Sequence, residues 1–169
     1  MPGQRSGVRV GVDVGAVRVG VAVSDPEGVL ATPVATLARD DSPDRADQHE
    51  VARLCPAGHT AYLVVGLPLS MSGAEGAAAR RARAYAREMA ALVAPVRVRL
   101  VDERLTTVAS HRQLRDGGVP GREQRAVVDR AAAVLILQSA LDAERATGRE
   151  PGALVAASGR KPRTKGRGR

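Results

Sequence analysis

Three carboxylates in this sequence stand at positions that suit chemistry. Asp13 lies inside the valine-rich run "GVDVG", Glu103 follows an apolar run in "VDERLTT", and Asp129 opens the apolar "VVDRAAAVLILQSAL". Carboxylate oxygens are the ligands that Mg²⁺ and Mn²⁺ prefer in proteins. Two such ions about 4 Å apart can clamp the attacking and leaving oxygens of a phosphodiester. If folding brings the three side chains together, they indicate metal-dependent phosphodiester hydrolysis.

Each carboxylate also has a structural explanation when it is taken alone. Asp13 lies two residues before Gly15 and could stabilise a turn. Glu103 could be an exposed loop acid paired with Arg104, and Asp129 could cap the amino terminus of a helix. The combination of all three favours a shared site.

Other catalytic groups are poorly represented. The histidines His49, His59 and His111 lack metal-ligand spacing, and the single cysteine, Cys55, cannot build a zinc site. The sequence has neither a G-x-S-x-G elbow nor a G-x-x-x-x-G-K-[ST] phosphate loop.

The elements around Asp13 form a predicted hairpin. Valines alternate along residues 8–14 and again along 17–23, so each run buries one face of a strand. Gly15 and Ala16 between the runs suit a two-residue type II′ turn. Small residues accompany Asp13 on the opposite face, which leaves room for another group to approach its carboxylate.

The remaining pattern alternates helices with strands. It predicts a weak strand over 29–34, a helix from Ser42 towards Cys55, a buried strand over 61–65, a helix that begins at a Ser72/Glu75 capping box, a strand over 96–101, a short helix from Thr106 or Thr107 to Gly117, and a long helix over 129–145. A hairpin start followed by such alternation predicts an α/β fold. Its central sheet is mixed, with helices on both faces.

Composition limits the class of protein. The chain of 169 residues suits one domain, and without Phe or Trp its core must consist largely of Val, Leu and Ala. A single cysteine permits no internal disulfide and fits a reducing compartment. No apolar stretch has the length of a membrane span, and no signal peptide is recognisable. The sequence therefore predicts a cytoplasmic protein without a membrane partner.

The net charge of +8 comes mostly from one end of the chain. The last twelve residues, "SGRKPRTKGRGR", contain six cations and no acid, and the rest has 20 cations against 18 acids. We therefore predict a folded domain over 1–150 and a basic, disordered tail over 151–169. The tail could bind phosphates through counterion release or could only keep the protein soluble.

Four segments together resemble the YqgF family, whose members are described as pre-16S rRNA nucleases and Holliday-junction-resolvase-like proteins. They are "GVDVGAVRVGVAVSD", "VVGLPLSMSGAEG", "VDERLTT" and "VVDRAAAVLILQSAL", and the resemblance runs from about Val8 to Leu141. It implies an RNase H-like fold, a magnesium-dependent nuclease and a role in maturing the 5′ end of small-subunit ribosomal RNA. The family's acidic positions match Asp13, Glu103 and Asp129, which are the predicted catalytic residues and ligands of Mg²⁺ or Mn²⁺.

Four further residues are predicted to contact substrate. Many relatives have a lysine before the arginine of the first motif, but this chain has Val17, so Arg18 alone would serve. Gly66 and Ser72 belong to a glycine-containing loop whose backbone N–H groups could hold a phosphate, although a plain strand-to-helix connection also explains it. Arg104, beside Glu103, completes the set.

The expected partner is nucleic acid, most directly pre-16S rRNA or a pre-ribosomal particle. The alternatives are a DNA endonuclease that cuts four-way junctions and a non-catalytic RNA-binding assembly factor. A junction resolvase would need a dimer, and the sequence leaves the oligomeric state open. The opening "D-x-G-x-x-x-x-G" also occurs in sugar kinases and actin-like ATPases, but those proteins bind nucleotide between two lobes and this chain is long enough for one.

Overall fold

The predicted hairpin forms the middle of a six-stranded mixed sheet. The computed structural model describes residues 6–105 and 122–157. Its strands are β1 (Val8–Val14), β2 (Arg18–Ser24), β3 (Ala31–Ala38), β4 (Thr60–Leu67), β5 (Arg97–Asp102) and β6 (Ala153–Leu154). Their spatial order is β3-β2-β1-β4-β5-β6. β1, β4 and β5 are parallel, whereas β2, β3 and β6 pair antiparallel with their neighbours.

Helices cover both faces of this sheet, as predicted. Within the described residues, the helices are α1 (Ala46–Arg53), α2 (Ala77–Val93) and α3 (Arg122–Thr147), and a 3-10 turn follows β5 at Glu103–Leu105. The valine face of β1 and β2 packs with α1 and α2 in one core. The opposite face, which carries Asp13, packs with α3 in a second core. The α/β architecture with a mixed sheet is therefore confirmed.

Glycines allow α3 to lie directly on the sheet. A Cβ atom at Gly11 would lie 2.6 Å from the Cβ of Leu137, and one at Gly20 would lie 2.2 Å from the backbone oxygen of Asp129. Real Cβ atoms do not approach other atoms this closely. The small residues on the Asp13 face thus make room for a helix backbone, which the sequence pattern by itself had not identified.

An ion pair fixes the carboxyl-terminal half of α3 to the same sheet face. The guanidinium of Arg9, only 1% exposed, donates two hydrogen bonds to Glu144, at 3.3 and 2.9 Å. Its Nη1 donates to the backbone oxygens of Gly7 and Pro26, and the Tyr62 hydroxyl donates to Glu144 at 2.6 Å. This fully buried arginine is stable because its charge and several of its N–H groups are matched.

The hairpin turn lies one residue later than predicted. The N–H of Gly15 donates to the carbonyl of Arg18 at 2.8 Å, so Ala16 and Val17 are the loop residues. Gly15 does not have a positive φ, which a type II′ turn requires at its first central residue. The predicted type II′ turn at Gly15 and Ala16 is therefore wrong, and β2 begins at Arg18.

The third strand is longer than the pattern indicated. β3 covers Ala31–Ala38 and pairs with the whole of β2 at the edge of the sheet. Pro33 is tolerated because an edge strand has one side without ladder partners, and the register shifts beside it, between Val21 and Ala22.

Two helices, α1 and α2, begin later in the chain than the sequence pattern predicted. Ser42-Pro43-Asp44 forms a turn before α1, because Arg45 has a left-handed backbone (φ 47°) and the Asp40 carboxylate accepts hydrogen bonds from the N–H groups of Ser42 and Ala46. The predicted helix start at Ser42 is wrong for this reason.

The capping box at Ser72 and Glu75 is also wrong. Gly73 has φ 86°, which interrupts a helical path, and α2 begins at Ala77 with Gly76 as its N-cap. The Ser72 hydroxyl lies 2.9 Å from that of Ser70, and Glu75 pairs with Arg83.

The last helix and the chain end also differ from prediction. α3 begins at Arg122, seven residues before the predicted start at Asp129. β6 pairs with β5 and the N–H of Val155 donates to the carbonyl of Val98 at 2.9 Å. Residues 153–155 therefore join the sheet, although the sequence placed them in the basic tail that was predicted to begin at 151.

Two predicted segments lie outside the described residues. They are the short helix from Thr106 or Thr107 to Gly117 and the twelve-residue basic end of the chain. Among the helices in the described ranges, none combines the length and apolar character needed to cross a bilayer.

We expect Gly20→Ala to destabilise the fold strongly, because the new methyl group would meet backbone atoms of α3 that cannot move alone. Overpacking of this kind costs about 3 kcal/mol. Gly76→Ala is the matched control, since nothing lies within 4 Å of its Cβ position and loss of a glycine N-cap costs less than about 1 kcal/mol. Urea unfolding of both variants measures the difference, and equal midpoints would contradict the close contact.

Candidate active site

Asp13 lies in the interior of β1 on the face covered by α3. Its backbone pairs with Gly20 of β2, and its side chain is buried, with the residue 1% exposed. On the other side of β1, Val12 pairs with Val65 of β4, so the next residues along both strands, Asp13 and Gly66, are adjacent. Asp13 is thus flanked by two glycines and is a strand residue, not a turn residue.

Glu103 reaches the same place from the end of β5. It follows Asp102, the last residue of that strand, and opens the 3-10 turn. A Cβ atom at Gly66 would lie 2.5 Å from Glu103 Oε1, so the carboxylate rests directly on this glycine. The residue is 2% exposed. The alternative of an exposed acid is wrong, because burial excludes it and Arg104 pairs with Asp102 instead.

Asp129 approaches from α3. Its backbone oxygen lies over Gly20, the residue opposite Asp13 in the β1–β2 ladder. Arg18 Nε donates to Asp129 Oδ2 at 3.2 Å. The N-cap alternative is wrong because α3 begins seven residues earlier, at Arg122.

The three acidic residues therefore converge on one stretch of the sheet. Asp13 lies on the central strand of the three, β1. Asp129 lies over Gly20 on the neighbouring β2, and Glu103 lies over Gly66 on β4. All three are buried, at 7% exposure or less. Burial of several carboxylates together is costly unless cations or donors compensate them.

The donor set suits a hard divalent cation, because it consists of carboxylate oxygens. In the described part of the chain, no three histidine, cysteine or acidic side chains are grouped tightly enough to hold a metal ion as they stand. One oxygen of Asp129 is engaged by Arg18. The residues present fit Mg²⁺ or Mn²⁺ in donor type, and the side chains would have to adjust to coordinate an ion together.

The predicted substrate contacts are distributed unevenly around the acids. Arg18 touches Asp129 directly. Arg104 lies against the loop after β4, since a Cβ atom at Gly73 would lie 3.1 Å from its Nη1. Ser72 is exposed in that loop. Gly66 is buried beneath Glu103 and Ile136, so its missing side chain leaves room for the Glu103 carboxylate, and its contact with substrate stays a prediction.

Asp102 holds the Arg104 side chain at the rim of the site. Arg104 Nε donates to both carboxylate oxygens, at 3.1 and 3.0 Å, and its Nη2 donates to Oδ2 at 2.6 Å. These hydrogen bonds from Arg104 are the main reason that the pKa of the Asp102 carboxyl lies below its ordinary value. The sequence reasoning missed this pair, although both residues stand in "VDERLTT".

The fold is similar to that of a solved structure. A structure of Thermus thermophilus RuvC in complex with a Holliday junction substrate matches with a TM-score of 0.50 and 16% sequence identity, and the match covers 86% of this chain and 99% of that one. The mixed sheet with helices on both faces is that of the RNase H-like class, as predicted.

Sequence comparisons identify the family. The profile of the RuvX family, described as a Holliday junction resolvase, matches residues 7–143. A protein of Nocardioides sp. strain JS614 named "Putative pre-16S rRNA nuclease" is 55% identical over 156 residues, which cover 89% of this chain and 97% of that protein. A protein of the same name in Kineococcus radiotolerans is 53% identical over 166 residues, covering 97% of this chain and 87% of that protein. The chain belongs to the RuvX, or YqgF, family of nucleases.

We expect Arg104→Gln to raise the pKa of Asp102 towards its ordinary value of 3.8, because the variant loses the guanidinium that stabilises the charged carboxylate. A depressed folded-state pKa adds stability above the unfolded pKa, and this stability is lost as the pH falls through the folded value. Arg104→Gln should therefore lower stability at neutral pH more than at a pH below the folded-state pKa of Asp102. Carboxyl ¹³C NMR titration measures the pKa, with Arg80→Gln on the exposed side of α2 as the control. An unchanged Asp102 titration would contradict the pairing.

Proposed function

We propose that this protein is a metal-dependent nuclease that hydrolyses phosphodiester bonds in the 5′-end maturation of pre-16S rRNA in the cytoplasm. The observation that carries the proposal is the convergence of Asp13, Glu103 and Asp129 where α3 lies against β1, β2 and β4. The names of relatives about half identical to this chain support the RNA substrate.

Asp13, Glu103 and Asp129 are the residues that would hold Mg²⁺ or Mn²⁺. When bound, such ions activate water and stabilise charge on the leaving oxygen of a phosphodiester. The carboxylates fix the position of the cations and do not need to transfer protons. Burial beneath α3 limits access of bulk water, which strengthens electrostatic interactions at this point.

Two arginines at the edge of the acidic cluster would bind the negative charge of the substrate. Arg104 is pre-oriented by Asp102, so little side-chain entropy is lost when its remaining N–H groups meet a phosphate. Arg18, with its side chain 22% exposed, is the second. The exposed loop with Ser72 lies beside Arg104 and would contact the sugar-phosphate backbone.

A structure-selective DNA endonuclease is the second candidate. The description of the matching family profile as a Holliday junction resolvase favours it. Both candidates use the same acidic cluster, so the chemistry of the site does not separate them.

We expect Asp13→Asn to reduce cleavage by roughly 1,000-fold or more, because the amide keeps the shape but removes the charge that holds a cation. Thermal stability should stay level or rise, since clustered carboxylates repel one another without metal. Glu103→Gln should lose cleavage similarly, and the double variant should lose little more, as expected for residues that act as a unit. Asp142→Asn, an exposed acid on α3, is the matched control. A near wild-type rate for folded Asp13→Asn at saturating Mg²⁺ would refute the proposed site.

A direct comparison of substrates tests the choice between RNA and DNA. Pre-16S rRNA with its 5′ leader and a synthetic four-way DNA junction are offered to the same preparation, with Mg²⁺, with Mn²⁺ and with EDTA. We expect cleavage of the RNA with either cation and none in EDTA. Preference for the junction would favour the second candidate, and full activity in EDTA would refute the metal mechanism.

A further inference from the structure

One cation of the protein itself already contacts the acidic cluster. Arg18 is the first residue of β2, and its Nε donates to Asp129 Oδ2 at 3.2 Å. The Arg18 side chain is partly exposed, at 22%, whereas the carboxylate side chain of the buried Asp129 is 10% exposed. The pair therefore lies at the mouth of the cluster, between the buried carboxylates and solvent.

The ion pair between Arg18 and Asp129 has one hydrogen bond, whereas the ion pair between Arg9 and Glu144, which also joins α3 to the sheet, has two. Arg9 and Glu144 make a two-point contact, and Arg9 is buried at 1% exposure with further backbone acceptors. Among the described residues, Arg18 donates a single side-chain hydrogen bond, to Asp129. A one-point contact of a partly exposed guanidinium is exchanged more easily than a buried two-point contact.

The position of Arg18 also conflicts with metal binding at Asp129. Its guanidinium occupies one of the two carboxylate oxygens of this residue, and in the described part of the chain no three acidic side chains are grouped to hold an ion. A divalent cation and a guanidinium repel each other, so both cannot bind Asp129 at close range without a cost.

We propose that Arg18 competes with the divalent cation for Asp129 and is released from it when the cation binds. This inference rests on the proposed function, since it assigns the cation to the same carboxylates. Without metal, Arg18 offsets part of the acidic charge. With metal, its guanidinium is free to pair with a phosphate of the nucleic acid, so cation binding prepares the substrate contact.

The proposal predicts that Arg18→Gln binds Mn²⁺ more tightly than the wild type, in the absence of nucleic acid. The variant removes the competing ion pair, and loss of a partly exposed pair corresponds to about twofold to fivefold in affinity. Titration of the metal-free protein, followed by the electron paramagnetic resonance signal of free Mn²⁺, measures this affinity. The same variant should bind a single-stranded RNA less tightly when Mn²⁺ is present, because it has lost a phosphate contact.

Arg130→Gln is the matched control. Arg130 follows Asp129 in α3 and is half-buried, so the variant removes the same charge from the same neighbourhood without removing a contact to Asp129. We expect its Mn²⁺ affinity to change less than twofold. An equal gain in Mn²⁺ affinity in both variants would overturn the proposed competition, because it would indicate a general effect of removing positive charge. An unchanged or weaker affinity in Arg18→Gln would also overturn it.

The wild-type protein provides a test that does not depend on whether a variant folds. The Nε–H resonance of Arg18, observed by ¹⁵N NMR, should shift when Mg²⁺ saturates the metal-free protein, because its hydrogen bond to Asp129 is broken. The Arg9 resonance should not shift, since that pair is remote and fully engaged. An Arg18 signal unaffected by saturating Mg²⁺ would overturn the proposal.

These measurements separate the inference from the proposed nuclease activity. Competition for Mn²⁺ in a protein that cleaves neither RNA nor DNA would leave the inference intact and refute the function. Metal-dependent cleavage with no effect of Arg18→Gln on Mn²⁺ affinity would support the proposed function and overturn the inference.

Discussion

The site depends on how closely α3 lies on the sheet. A helix backbone can come this near to β1 and β2 only because Gly11 and Gly20 have no side chain, and any larger residue would collide with Leu137 or with the backbone of Asp129. Gly66 performs a related task on β4, where its missing side chain leaves space for the Glu103 carboxylate. The glycines therefore determine how far apart the acidic residues stand. They carry none of the chemistry, but the carboxylates could not converge without them.

The close packing of α3 on the sheet buries charged side chains near both ends of the helix, and their surroundings differ at the two ends. At the carboxyl-terminal end, Arg9 is buried completely and its charge is matched by Glu144, with Tyr62 donating to the same carboxylate. Both oxygens of Glu144 are used, so this end is closed and structural. At the other end, three buried acids have a partly exposed arginine at Asp129. The first arrangement is structural, whereas the second places a partly exposed arginine at a carboxylate that is proposed to bind a cation.

The rim of the site combines rigid and exposed groups. Asp102 fixes the Arg104 guanidinium at the end of β5, and the loop after β4 packs against it at Gly73. Met71, in the same loop, is 86% exposed. The rim thus presents an oriented arginine and an exposed loop beside the three buried acidic residues. A polyanion would be attracted to the edge while its phosphate is brought towards the carboxylates, which is the distribution of charge that the proposed nuclease needs.

The sequence predicted the architecture, and it pointed to the three acidic residues that the fold brings together. Alternating valines predicted the central hairpin, and the succession of patterns predicted a mixed sheet with helices on both faces. These signals are reliable because they reflect which face of each element is buried, a property that neighbouring residues share. Helix starts at Ser42 and Ser72 were misplaced because Arg45 and Gly73 have left-handed backbones, and nothing in their local sequence separates such a turn from the first turn of a helix. β6 was missed because two residues pair only after β5 provides an edge.

The surroundings of the three acidic residues could be known only from the folded protein. The structure excluded the cap for Asp129, since α3 begins at Arg122, and it excluded the exposed ion pair for Glu103, since Arg104 binds Asp102. It also placed the Glu103 carboxylate against Gly66, a contact that the sequence did not predict. Each of these outcomes depends on contacts between residues far apart in the chain. Sequence spacing restricts which side chains share a face, but the distance between two faces depends on how the elements pack. In this protein that distance is short because α3 packs directly against Gly11 and Gly20.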